Sequence, residues 1–254
     1  MLSAMLEAAR RRAAEIDVVA VRRAADRMPE TRSFEGALSR PGMSVIAEIK
    51  RRSPSRGALA AALDPVRQAD RYAAGGAAAI SVLTDPDFFD GSLDDLTEVR
   101  RTTAVPVLRK DFIVHPVQVW ESRAAGADAL LLIVAALDDA TLTALLSETV
   151  EAGMEALVEV HTVDEVRRAE AAGARIVGVN NRDLTTFRVD LAVAETLGPE
   201  LGGFSVKVAE SGIGGADDAR RMAAAGYDAV LVGESLVTAD DPSRLLAEMT
   251  GVEP

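Results

Sequence analysis

Glu48 and Lys50 stand two residues apart in the stretch AEIKRRSPSRG, Ala47 to Gly57. The apolar run Ser44 to Ile49 carries the carboxylate inside it and stops at the lysine. In an extended segment, residues two apart point to the same face. The pair is therefore either a surface salt bridge beside a basic loop or part of an enclosed acid–base site. Lysine usage favours chemistry. Of 28 basic residues only Lys50, Lys110 and Lys207 are lysines. A chain that uses arginine for generic charge keeps a lysine where a compact ammonium that can release its proton is needed.

Other groups of the same kind recur along the chain. Arg109-Lys110-Asp111 closes PVLRKDF, and Glu159 with His161 closes LVEVH. Asn180-Asn181-Arg182-Asp183 follows a further apolar run, and Glu210-Ser211-Gly212 and Gly233-Glu234-Ser235 follow two more. Taken singly, each is a solvated strand end. Gathered in one mouth, carboxylates and ammoniums must neutralise one another or exchange protons. SGIGG (211–215) and VGES (232–235) place glycine where a helix starts, and backbone N–H groups there suit a phosphate. In Glu234 only the N–H is expected to face such an anion. Phe88 and Phe89, in a chain poor in aromatics, read as an aromatic lid for a flat ligand. His115 and His161 lack a third ligand at metal-like spacing, so no metal site is expected.

The elements that would gather these groups follow from a repeat. AAGGAAAI, AAGADALL, AAGARIVG and AAGYDAVL start at Ala73, Ala124, Ala171 and Ala224. Each reads as a helix end, a glycine at which positive φ is cheap, and a new apolar strand. The period holds two strand–helix units, giving eight strands near 44–49, 79–83, 106–109, 128–133, 155–159, 175–179, 206–210 and 228–232. Short apolar strands alternating with amphipathic helices fit an α/β (β/α)8 TIM barrel, with an open doubly wound sheet as the alternative. In a barrel, the groups above all fall at the C-terminal strand ends, and the opposite rim receives glycines and alanines. Residues 1–40 read as extra N-terminal helices on a single 1–254 domain. Lys207, three residues from Glu210, faces the other way and reads as structural.

Composition narrows the classes. Net charge −12 argues against nucleic-acid binding. No run reaches the ~20 apolar residues of a membrane span, and the N-terminus lacks a signal-peptide pattern. Zero cysteines exclude disulfides, thiolate metal sites and a cysteine nucleophile. A cytoplasmic enzyme with no obligate protein partner is expected.

From about Phe34 onward the ordered motifs AEIKRRSPSRG, SVLTDPDFFDGS, PVLRKDF, GADALLLI, LVEVH, GVNNRDL, AESGI and LVGESL resemble the indole-3-glycerol phosphate synthase family of tryptophan biosynthesis. The resemblance implies a (β/α)8 barrel, no cofactor, and a small phosphorylated anthranilate-derived substrate. That substrate, 1-(2-carboxyphenylamino)-1-deoxyribulose 5-phosphate, is ring-closed with loss of carbon dioxide and water. By resemblance, Lys110 is the general acid at the carbonyl oxygen, and Lys50 pairs with the substrate carboxylate and can share acid duty in dehydration. Glu159 is an acid or base in later steps. Glu48, Asn180, Glu210 and Ser211 position substrate and tune the lysines. Ser53 and Arg182 contact substrate, and Phe89, Phe112, Leu131, Ile133 and Leu184 form its apolar wall. Gly212, Gly233, Glu234 and Ser235 hold the phosphate. Arg51, Arg52 and His115 depart from the residues expected at their positions. Phosphoribosylanthranilate isomerase, a neighbouring class, uses a cysteine base that this chain lacks. A non-catalytic phosphate-binding barrel would not need the lysines and glutamates.

Overall fold

The computed structural model describes residues 1–54, 57–183 and 186–251. Eight strands form its centre: β1 (Ser44–Ile49), β2 (Ala79–Leu83), β3 (Val107–Lys110), β4 (Ala129–Ile133), β5 (Glu155–Val160), β6 (Ile176–Asn180), β7 (Val206–Glu210) and β8 (Ala229–Val232). Each pairs in parallel with its sequence neighbours, and β8 pairs with β1, so the sheet closes into a barrel. The open-sheet alternative is thereby excluded. The expected strand positions hold to within one residue at either end. Among the described residues no helix is long and apolar enough to cross a membrane.

The glycine-terminated helix ends explain this regularity. Helices α7 (Pro116–Ala125), α9 (Val163–Ala171) and α11 (Ala216–Ala224) are followed by Gly126, Gly173 and Gly226, all at positive φ. After α4 (Pro65–Ala74), the second glycine, Gly76, takes the positive φ. Gly75 instead admits a close neighbour: a Cβ there would lie 2.7 Å from Ser243 Cα.

Period-two alternation divides the strands into two faces. Outward residues such as Val45, Ile80, Leu130, Val158 and Val177 pack under the helices. Inward residues Ile46, Leu108, Leu131, Leu157, Val208 and Leu231 fill the barrel axis. At the N-terminal end this inner core meets Phe34 and Leu38 of the short helix α3 (Phe34–Leu38), which plugs the barrel. The extra N-terminal helices are therefore of two kinds. α3 closes the bottom, while α1 (Leu2–Glu15) reaches the opposite mouth, where Arg12 pairs with Asp85 and Asp87 at 2.7 Å.

The N-terminal rim is more polar than expected. Asp128 and Asp228, each two residues past its repeat's glycine, accept the N–H of Val107 and Lys207, both at 2.8 Å. Asp128 is fully buried, also accepts from the Arg32 N–H at 2.8 Å, and pairs with Arg100 at 3.2 Å. One carboxylate thus ties β3, β4 and the chain entering α3. Asp128→Ala orphans all three donors and is expected to cost roughly 3 kcal/mol. Thermal unfolding should show Tm about 10 °C lower, and an unchanged Tm would contradict this role.

Candidate active site

The same alternation that fills the barrel with Ile46, Leu108, Leu157 and Val208 places Glu48, Lys110, Glu159 and Glu210 two residues further on, at the mouth. With Lys50 they form two ion-paired groups. Lys50 Nζ donates to Glu48 Oε1 at 2.6 Å. Lys110 Nζ lies 3.1 Å from Glu159 Oε2 and 3.2 Å from Glu210 Oε2. Arg109, by contrast, points outward, to Asp111, Glu121 and Ser122. It belongs to the wall behind the site, not to the mouth where its neighbour Lys110 sits.

A cavity of about 720 Å³ lies over these groups. It is lined by Glu48, Lys50, Lys110, Glu159, Asn180 and Glu210, and by Ser53, Arg182 and Ser211. Phe89, Phe112, Leu131 and Ile133 supply an apolar wall, with the two rings 6.5 Å apart and tilted by 36°. Gly212, Gly233, Glu234 and Ser235 line it at the ends of β7 and β8. The described residues to which the family resemblance gives a catalytic or substrate-binding role therefore all meet one cavity. Leu184 lies outside the described residues. Phe88 does not line the cavity, so the aromatic wall is Phe89 with Phe112.

Burial sets the electrostatics. Desolvation disfavours the Lys110 ammonium, but Glu210, Glu159 and Glu48 together outweigh it and raise its pKa above the ordinary lysine value. Burial also pushes Glu159 up, yet Lys110, then His161, and then an Asn180 hydrogen bond hold it below the usual carboxylate range. Glu210 goes the other way. Burial pushes it up to about 7, because Lys110 only partly offsets the desolvation and Glu159 repels it. Its Oε1 is buried without a hydrogen-bond partner. Two carboxylates thus flank one ammonium and differ in proton affinity, the pattern by which one environment separates acid from base.

Two glycines make room for these carboxylates. A Cβ on Gly178, in β6, would lie 2.1 Å from Glu210 Oε1. A Cβ on Gly233 would lie 2.5 Å from Glu48 Oε1 and 3.0 Å from Lys50 Nζ. Gly233 thus shapes the Glu48–Lys50 pair as well as the turn after β8. In the neighbouring turn, Ser211 and Gly212 both take positive φ. Ser235 Oγ donates to the Ile213 carbonyl at 3.0 Å, and the Gly214 N–H to Asp218 at 2.8 Å. The last N–H is therefore spent within the protein.

Several contributors carry no local signal in the sequence. Met5 of α1 lines the cavity, as do Phe187 and Val189 from the segment after β6. Arg12 also approaches Asp111 at 3.5 Å, the residue next to Lys110. Of the arginines after Lys50, Arg51 is tied into the fold. Arg51 forms a fork with Asp95 and donates to the carbonyls of Leu63 and Asp90. It fastens the segment bearing Ser53 to the one following Phe89. His115 caps α7, its Nδ1 accepting from Val117 N–H at 3.2 Å.

A family model described as "Indole-3-glycerol phosphate synthase" matches residues 3–249. The indole-3-glycerol phosphate synthase of Mycolicibacterium smegmatis is 52% identical over 94% of this chain and 88% of its own. That of Kineococcus radiotolerans is 55% identical over 82% of this chain and 76% of its own. Among solved structures, a 3-hexulose-6-phosphate synthase from Salmonella typhimurium superposes with TM-score 0.67 at 18% identity, covering 83% of this chain and 98% of that one. Thiamine phosphate pyrophosphorylase from Pyrococcus furiosus gives 0.63 at 18% identity, covering 87% and 97%. These two share the fold alone. With its barrel, its paired lysines and glutamates and its family match along nearly the whole length, the chain belongs to the indole-3-glycerol phosphate synthase family.

Proposed function

We propose that the cavity closes an indole ring: it converts 1-(2-carboxyphenylamino)-1-deoxyribulose 5-phosphate to indole-3-glycerol phosphate, carbon dioxide and water. One observation carries the reading. Lys110 is an ammonium shared by two buried carboxylates, between an aromatic wall and the glycine turns across the barrel. Such a site suits a substrate with an aryl ring at one end and a phosphate at the other.

The aryl carbon that bears the carboxylate attacks the ribulose carbonyl. As the new carbon–carbon bond forms, the carbonyl oxygen becomes an alkoxide more basic than an amine. Lys110, charged in the free site, gives it a proton. Lys50, now paired with Glu48, meets the substrate carboxylate and shares acid duty in dehydration. Carbon dioxide then leaves and the ring regains aromaticity. Dehydration needs one proton delivered to the departing hydroxyl and one removed from carbon. Glu159, the carboxylate of lower proton affinity, is the base for the second. Asn180 fixes it, and Glu48, Glu210 and Ser211 position the substrate and tune the lysines. Phe89, Phe112, Leu131 and Ile133 take the aryl ring, and Ser53 and Arg182 contact the chain. Gly212, Gly233, Glu234 and Ser235 hold the phosphate. In this reading the reaction uses no cofactor and needs no nucleic acid, membrane or obligate protein partner. It runs in the cytoplasm on a chain that acts as one domain, 1–254.

Mixing the protein with the carboxyphenylamino-deoxyribulose phosphate should produce indole absorbance, and silence would refute the assignment. Lys110→Ala should lower kcat on the order of 10³-fold with the fold retained. Lys110→Arg should do no better, because guanidinium keeps its proton, so normal turnover in that variant would sink the proton-donor role. Glu210 is expected to titrate near 7 in the free enzyme. The infrared carbonyl stretch of a neutral carboxylic acid should therefore fade as pH rises through that value. It should be missing in Glu210→Gln, and a band of equal size in that variant would place the proton elsewhere.

A further inference from the structure

Glu159 and Glu210 are alike in burial, both 1% exposed, and both touch the same ammonium. Lys110 alone cannot decide which of them is ionised, since its distances to the two differ by only 0.1 Å. The asymmetry lies behind Glu159. His161, two residues on, sets Nε2 3.5 Å from Glu159 Oε1, on the side away from Lys110. That nitrogen is buried and has no hydrogen-bond partner. The other ring nitrogen, Nδ1, is 3.2 Å from Glu165 Oε2. Glu165 is itself held in place. The Thr162 hydroxyl caps α9 and accepts the Glu165 N–H at 3.2 Å, and the Glu165 carboxylate accepts the His161 N–H at 2.7 Å. An imidazole that shares a hydrogen with Glu165 at Nδ1 and sets Nε2 at ion-pair distance from Glu159 suits both carboxylates only as imidazolium.

We infer that His161 is a positioning residue that makes Glu159, and not Glu210, the ionised carboxylate beside Lys110. The inference rests on the synthase reading for its consequence. Once Lys110 has given its proton to the substrate, it no longer compensates the charge on Glu159. His161 is then the cation that remains, and it keeps Glu159 ionised as the base that dehydration requires. Among the described residues, Glu210 has no cation within ion-pair distance besides Lys110. A Cβ-free Gly178 lies against its unpartnered Oε1 where Glu159 has an imidazolium. The charged groups acting on His161 are Glu159 on its own strand, Glu165 on α9 and Glu210 on β7. Burial disfavours its charged form, but the three acidic groups together outweigh that and favour the protonated ring.

The test is the pH dependence of kcat/KM for indole formation in the wild type, His161→Asn and His161→Arg. Loss of the imidazolium raises the proton affinity of Glu159. Activity that depends on ionised Glu159 should then fail at higher pH, with the acid limb displaced upward by about one unit in His161→Asn. His161→Arg keeps the cation and should keep the wild-type limb. A His161→Asn profile that superimposes on the wild type, or that is lowered equally at every pH, overturns the inference. So does an arginine variant that behaves like the asparagine one. Should His161→Asn fail to fold, Glu165→Gln carries the test, because removing the anion that holds the imidazolium moves the limb the same way. An unmoved limb there overturns it too. Failure of the synthase reading would show separately, as a wild type that forms no indole. In that case infrared difference spectra against Glu159→Gln still decide, since the inference requires the Glu159 carboxylate band to give way to the acid form at higher pH in His161→Asn than in the wild type.

Discussion

A partly buried ammonium held between two buried carboxylates is the interaction around which the molecule is arranged. Lys110, Glu159 and Glu210 come from three different strands and are almost wholly removed from water. Charges in such a setting are costly unless their partners are within hydrogen-bond reach. That condition requires strands β3, β5 and β7 to hold their spacing closely. A closed parallel sheet supplies this rigidity, since each strand is fixed from both sides and none is an edge. The apolar layer beneath, built from Leu108, Leu157 and Val208, is therefore as much a support for the charges as a source of stability.

The support continues outward from the mouth. Asp111 follows Lys110 and is held by Arg109 at 2.9 Å, by Thr84 at 2.7 Å, and more loosely by Arg12. Arg109 in turn reaches Glu121 and Ser122 on α7. Residues on either side of the lysine are thus locked in place, and the lysine's ammonium is left to reach into the cavity. Arg51 does the same for the neighbour of Lys50 through its fork with Asp95. In both places arginine does the fixing and lysine is presented to the cavity. This division of labour is the physical sense of a composition so poor in lysine.

Features with a fixed period could be read from the chain. The glycine-ended repeat gave eight strands, and the two-residue spacing of Ile46 with Glu48 and Leu108 with Lys110 gave the facing of the charges. Short motifs at strand ends identified most of the cavity lining. The rest depends on tertiary approach and leaves no local trace. Nothing in MLSAMLEAARRR says that Met5 will reach the cavity or that Arg12 will sit on Asp85. The second task of Gly178 and Gly233 is equally hidden, because it is a matter of what lies across the barrel. The buried carboxylate of Asp128 stood in plain view within GADALL, yet only the closed sheet shows which N–H groups it receives.

The plug formed by α3 has a consequence for traffic. With Phe34 and Leu38 sealing the N-terminal end and the barrel axis filled by Ile46, Leu131 and Leu231, the vessel formed by the described residues opens at its mouth. Everything that enters past Phe89 and the glycine turns must also leave that way, including the gas and the water produced inside. The indole product occupies the same cavity that the next substrate needs. Emptying the vessel therefore precedes refilling it, and the pace of the cycle is tied to how readily the rim segments let the product go.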